Sequence, residues 1–518
     1  MTNTMNRRRF LAAGSAGLAT AGLSARGLGA SDAHEQEGHF QHGVASGDPL
    51  PDGIILWTRV SPAKREDSAV DVEWVLATDP ALEMVVARGQ VQTHAIRDYT
   101  VNVDVRGLEP GRRYYYQFRS AGQRSSVGRT RTAPLGGPDA VAFAVTSCAN
   151  YSLGYFNVYR RIAERNELDA VIQLGDYLYE YPARRREDEL DLRRHVPAEE
   201  IIRLADYRMR YAQYRSDPDL QAAHEAHPWI CVWDDHESAN NSWMHGAQNH
   251  SPEEGDWALR KAAAIQAYHE WMPIRSQTMT VAVPRIFRGF RFGDTVDLLM
   301  LDTRLYGRSE QAVPGDAAGL ADPSRSILGA EQRAWLQTQL TASAGREVHW
   351  RVLGNQCMFG QLLGEGGAVL NPDQWDGYPL DQRAIISHLR DGGIGNNVIL
   401  TGDLHSSWAL DIHSNPFGDD YAKGQGNVAV ELVTSSVTSR SRFNDPVEAR
   451  PQEQQIVAGM PHMKWLNLSE RGYLITTLTQ AEMRAEWWLV DTVGSRQHEQ
   501  RLAAAYVSES GSNRLTAA

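Results

Sequence analysis

The chain has 518 residues, 42% hydrophobic and 22% charged, enough length for two or more domains and enough apolar content for a large core. Its formal net charge of −12 argues against a nucleic-acid partner held through phosphates, though a bound cation would still reverse the sign locally for a phosphate substrate. Three cysteines, Cys148, Cys231 and Cys357, are too few for a disulfide framework, and an odd number leaves at least one unpaired.

Residues 1–30 open the chain with Arg7-Arg8-Arg9-Phe10-Leu11, followed by a run of Ala, Gly and Leu ending near Ala30. That is the pattern of a twin-arginine signal peptide. The run is Gly-rich and carries Arg26, so it is too weakly apolar to serve as a permanent membrane anchor. Export through the twin-arginine machinery to the periplasm or beyond is expected. That route carries folded proteins, which accords with a metal loaded before export. Removing residues 1–30 takes away four arginines and no acid, leaving the remainder more acidic still.

Residues 31–40 are polar and expected to lack structure. Within 31–134, short alternating runs such as Ile54–Val60, Val70–Leu76, Tyr99–Val105 and Tyr114–Arg119 are separated by turns, predicting a small antiparallel β-sandwich. The Leu108-Glu109-Pro110-Gly111 turn leading into Tyr114-Tyr115-Tyr116 looks like a fibronectin type III module. Pro134–Pro138 is a natural linker. Across 139–500, strands alternate with helices, predicting an α/β domain of two packed sheets flanked by helices. Helices are expected near 155–166, 199–214, 257–271, 330–343 and 381–391. The charge run Arg184–Glu189 is expected to be a solvated loop, with one arginine a candidate for a substrate phosphate.

Four of the predicted strands end on ligand-type residues. Ala142–Thr146 runs into Cys148, Val171–Leu174 into Asp176 and Tyr179, Trp229–Trp233 into Asp234-Asp235-His236, and Val398–Thr401 into Asp403 and His405. Parallel strands open into a crevice at their ends, and ligands bind there. The four ends together describe a polynuclear metal site. A carboxylate such as Asp176 can bridge two cations. Thiolate from Cys148 and phenolate from Tyr179 favour a transition metal, completed by the imidazole of His405, while Asp235 and Asp403 suit a harder ion such as calcium. His236 is placed to donate a proton to the reacting group. Two adjacent cations generate hydroxide at neutral pH and neutralise an oxyanion undergoing in-line displacement, so phosphate-ester hydrolysis is the natural reaction. Cys231, inside an apolar run, reads as a small buried hydrophobe. Asp302, Arg304, Asn355 and Gln356 are weaker candidates for the rim.

Thr146-Ser147-Cys148, Leu174-Gly175-Asp176-Tyr177-Leu178-Tyr179-Glu180-Tyr181, Tyr207-Arg208-Met209-Arg210-Tyr211, Tyr214-Arg215-Ser216-Asp217-Pro218, Trp233-Asp234-Asp235-His236-Glu237, Asn240-Asn241, Asp302-Thr303-Arg304 and Leu400-Thr401-Gly402-Asp403-Leu404-His405 occur in this order. Together they resemble the alkaline phosphatase D (PhoD-like) family, from about Gly43 to beyond Ser407. The resemblance implies a calcineurin-like metallophosphoesterase holding Fe3+ and Ca2+ and acting on phosphomonoesters, in some members also diesters. Carried over by motif, Cys148, Asp176, Tyr179 and His405 would hold iron. Asp176, Asp235 and Asp403 would hold calcium with Asn240 assisting, and His236 would act as acid.

The alternatives are a phosphodiesterase or phospholipase D-type hydrolase on the same fold, and a non-catalytic cell-surface binding protein. A purple-acid-type phosphatase would carry Asp in place of Cys148 and Gly-Asn-His in place of Asp234-Asp235-His236.

Overall fold

The computed structural model describes residues 39–62, 69–183, 185–186, 189–190, 192–275, 285–497 and 499–518. The twin-arginine segment 1–30, all but the end of the polar stretch 31–40, and the side chains of the Arg184–Glu189 run lie outside the described residues.

Two large sheets carry the fold. The first has ten strands in the order Thr516–Ala517, Gln500–Glu509, Glu482–Val490, Gly472–Leu478, Val141–Thr146, Ala170–Gln173, Pro228–Cys231, Val44–Leu50, Gly53–Arg59 and Thr100–Arg106. Its centre is parallel: Val171 pairs with both Ala144 and Trp229, and Ser46 pairs with Pro228. Val141–Thr146 and Ala170–Gln173 are buried at every residue, which explains why they read as continuous apolar runs. The second sheet has seven strands: Arg288–Phe292, Val296–Met300, Trp350–Gly354, Asn397–Thr401, Asn427–Val433, Ser407–His413 and Met463–Asn467.

Alternation along the second sheet decides which core each residue joins. Val296, Leu298, Met300, Val352, Val398 and Leu400 share one buried cluster with Val145, Ile172 and Ile230 of the first sheet. Leu299, Leu301, Leu353 and Ile399 face the other way, against Leu336 and Leu340 of helix Gly329–Gly345 and Ile385 and Leu389 of helix Pro379–Asp391. Tyr207 and Tyr211 of helix Leu204–Arg215 and Trp271 of helix Trp257–Trp271 join the first cluster. The fold is mixed α/β with several sheets.

The N-terminal strands divide between two sheets. Val70–Ala77, Val85–Thr93, Arg113–Ser120, Gln123–Arg124 and Gly128–Arg131 form a separate five-stranded sheet. Its Val72, Leu76, Tyr116 and Phe118 share a core with Ile54, Leu56, Val101 and Val103. Those latter residues belong to strands of the ten-stranded sheet, so the region before residue 134 is hydrogen-bonded into the same sheet as the α/β strands. Gly47 makes that possible, because a Cβ there would sit 2.1 Å from the carbonyl oxygen of Pro273. The ten-stranded sheet also runs past residue 500, taking in Gln500–Glu509 and Thr516–Ala517. Gly38–Ala518 is a single compact unit.

Candidate metal centre

Each central strand turns sharply where it ends. Cys148 (φ 60°), Asp176 (φ 54°), Asp403 (φ 59°) and His405 (φ 54°) all adopt the left-handed region, which non-glycine residues rarely occupy. Such strain persists only where surrounding structure over-determines it. The turns are locked together: Cys148 N–H donates to the Gly175 carbonyl at 3.2 Å, and Ala149 N–H to the Asp176 carbonyl at 2.8 Å. Gly175 (φ 104°) lies so close to the next turn that a Cβ on it would be 2.3 Å from the Cβ of Asp234.

The turns bring together three linked groups of ligand atoms, each with its members within 4.8 Å of one another: Cys148, Asp176 and His405; Asp176, Asp235 and His236; and Asp234, Asp235 and Asp403. Asp176 belongs to the first two and Asp235 to the last two. Tyr179 joins the first: its hydroxyl donates to Asp176 Oδ2 at 2.9 Å and lies 3.0 Å from His405 Nε2. All are buried except Asp403 and His405, which are partly so. Asp234 Oδ2 and Asp235 Oδ1 have no hydrogen-bond partner. Unpartnered buried carboxylate oxygens beside a thiol, a phenol and an imidazole are a set that a cation fits.

Electrostatics agree with that fit. Burial, then the nearby Asp176 carboxylate, push the Cys148 thiol and the Tyr179 phenol well above their ordinary values. Burial lowers His405 to about 4, keeping it neutral as a metal ligand must be. Burial likewise raises Asp176 well above the carboxylate range and Asp403 to about 6. Without a cation, much of this centre keeps its protons.

His236 stands beside the ligands, its ring stacked on Tyr179 with centroids 4.1 Å apart. Its Nδ1 is 2.7 Å from Glu180 Oε2, so a proton on Nδ1 is held there and Nε2 is left for a reacting group. Burial opposes its charge, but the carboxylates of Asp235, Glu180 and Asp176 outweigh that and lift its pKa well above the ordinary value. Asn240 is engaged by neighbouring side chains. Its side-chain oxygen accepts from the Tyr181 hydroxyl at 3.0 Å and its amide donates to Gln248 at 2.9 Å. Its neighbour Asn241 serves the centre through a backbone N–H to Asp235 Oδ2 at 2.6 Å.

Arg304, a weaker rim candidate from the sequence, reaches into the centre, and Asp373, Gln374 and Ser439, which have no sequence signal of their own, join it. The guanidinium of Arg304, fully buried, donates to Asp234, to Asp403 at 3.1 Å and to Asp373 at 2.8 Å, and lies 3.8 Å from Asp235. Asp373 is held in turn by Arg308 and Gln311, each at 2.7 Å. Gln374 donates to Asp403 Oδ2 at 2.5 Å, and Ser439 Oγ to the Tyr179 oxygen at 2.7 Å. Asp302 does not pair with Arg304's side chain; it accepts the backbone N–H groups of Arg304 and Leu305. Asn355 and Gln356 bond to Thr401, Trp375 and Thr303 away from the ligand groups. Cys231 is buried in its strand, and Cys357 Sγ accepts from Arg308.

An α/β enzyme with acidic side chains gathered at the ends of parallel strands is the class that fold and site define. Residues 143–487 match the PhoD-like phosphatase family and residues 25–134 match the family described as PhoD-like phosphatase, N-terminal domain. The chain belongs to the PhoD-like phosphatases and is a phosphatase. It is 36% identical over 513 residues to the alkaline phosphatase D of Bacillus subtilis (strain 168), across 94% of this chain and 84% of that protein. A solved structure described as that of PhoD matches it with a TM-score of 0.85 and 34% identity, covering 94% of this chain and 93% of that one. Among the described residues no helix is long and apolar enough to cross a membrane.

Proposed function

We propose that this chain is an exported, metal-dependent alkaline phosphatase that hydrolyses phosphomonoesters, and phosphodiesters as a secondary activity, to release inorganic phosphate. The observation that carries the reading is the sharing of Asp176 between a thiol-containing group and an all-oxygen and imidazole group of ligand atoms. Cys148, Asp176, Tyr179 and His405 would hold Fe3+; Asp176, Asp235 and Asp403 would hold Ca2+. Bound there, the cations supply Lewis acidity and a nucleophile at neutral pH. Asn240, whose side-chain oxygen accepts from Tyr181, would assist at the Ca2+ site. Glu180 orients His236, whose Nε2 gives a proton to the leaving oxygen. The five-stranded N-terminal sheet, with the strands it packs on, is read as a fibronectin type III-like sandwich, and the two large sheets as the core of a metallophosphoesterase.

Metal content of the protein, purified after export without chelator, tests the assignment. Iron and calcium near stoichiometry are expected, with turnover of p-nitrophenyl phosphate exceeding that of its bis-ester; zinc or manganese would overturn the metals, and no metal would overturn the mechanism. Replacing His236 by Ala should lower kcat by about 10²-fold, the low end for loss of a general acid, and an unchanged kcat would remove it from that role. Export rests on Arg7-Arg8-Arg9, and a triple Lys variant should stay in the cytoplasm; normal export of that variant would refute the route.

A further inference from the structure

Glu237 follows Asp235 and His236 and is buried, with 2% of its surface exposed. Its carboxylate does not face the ligand groups. Oε2 accepts the backbone N–H of Asp176 at 3.0 Å and that of Asp234 at 2.8 Å, and Oε1 accepts the N–H of Tyr177 at 2.6 Å. Both oxygens are thus spent on amides from two different strand-end turns. No ion pair to Glu237 occurs among the described residues. We propose that Glu237 is a positioning residue for the phosphatase centre: a buried strap that holds the Asp176 turn against the Asp234-Asp235 turn before any cation arrives.

The physical need for a strap is plain. Asp176 and Asp235 place carboxylate oxygens within 4.8 Å of each other, both buried, and two buried acids so close must be held there by other contacts. The Asp176 turn is also conformationally costly, since Asp176 sits at positive φ. Gly175 lets the turns touch, and Glu237 supplies the attraction that keeps them in contact. Its two oxygens take three amide donors between them, so neither is left unpaired in the interior. The spacing of the shared ligand Asp176 from Asp235 then depends on a side chain that need never touch the cation.

This inference rests on the reading of the centre as a cation site, but one arm of its test does not. Amide hydrogen exchange on the chelator-stripped wild-type protein should find the N–H groups of Asp176, Tyr177 and Asp234 protected, as strapped groups must be. Exchange as fast as in an exposed loop would overturn the proposal whatever the metal. In the second arm, Glu237→Gln keeps the size but turns an NH2 toward at least one donor. The variant should bind calcium and iron, each tested alone against a competing chelator, 10- to 100-fold more weakly than wild type, the range for residues that support metal ligands. Glu270→Gln breaks the buried pair with Arg208 (2.6 Å) far from the centre and should lower the melting temperature without changing metal affinity. If Glu237→Gln behaves like Glu270→Gln, Glu237 is merely structural and the proposal fails. Glu237→Asp, one methylene shorter, repeats the affinity measurement should the Gln variant not fold, and the exchange arm stands without either variant.

Discussion

The two ends of the metal centre solve the problem of buried acid in different ways. At one end, Cys148, Asp176, Tyr179 and His405 have no arginine or lysine partner among the described residues. Protons keep that end neutral: the thiol and the phenol are pushed up, and the imidazole is lowered to about 4. At the other end, Asp234, Asp235 and Asp403 surround the guanidinium of Arg304, which Asp373 anchors from behind. Breaking a buried pair by removing one partner costs about 3–5 kcal/mol, so Arg304 is a fixed part of that end. One end thus has no cation of the chain's own, while Arg304 supplies one to the other.

Replacing Asp176, which the proposed iron and calcium sites share, should have the largest effect. Asp176→Asn is expected to lower kcat by about 10³-fold or more, the scale of losing a fixed electrostatic stabiliser of the transition state, with circular dichroism unchanged. Surviving turnover would dismiss Asp176 as the bridge. Cys148→Ser acts on one end only, and its iron content should fall much further than its calcium content. Equal loss of both metals would erase the distinction between the ends.

The smallest effect is a matter of pH. Asp403 titrates at about 6 in the folded chain against about 3.9 when unfolded. A raised acid lends its full stability below the unfolded value and loses it as pH climbs through the folded one. In chelator-stripped protein, Asp403→Asn should therefore gain melting temperature relative to wild type between about pH 4 and pH 6.5, then stay level. Subtracting one protein from the other cancels the histidines that titrate in the same window. A flat difference would show that Arg304 already holds Asp403 ionised.

Much of this was legible because burial and chemistry fall on short, contiguous runs. Val141–Thr146, Ala170–Gln173 and Asn397–Thr401 are β-branched and apolar and stop on residues of ligand type, so strand and candidate site could be read together. Val44–Leu50 could not, since VASGDPL has neither the alternation nor the apolar run of a strand and is held by a glycine's close approach to Pro273. Gln500–Glu509 was hidden for a similar reason, its Ala-rich middle reading as no particular element. Arg304 and Glu237 are polar residues whose partners lie 60 or more positions away, apart from the bond of Glu237 to Asp234. Only the folded chain reveals what such residues hold.

The ten-stranded sheet also fixes an order of assembly. The strand that delivers Cys148 pairs on one side with Ala170–Gln173 and on the other with Gly472–Leu478, more than 300 residues later. Until that late segment has been synthesised, one edge of the Cys148 strand stays open, and open apolar edges invite pairing with other chains. Contacts so distant along the sequence also form slowly. A chain still on the ribosome can therefore close neither the sheet nor the centre built on it until Gly472–Leu478 has emerged.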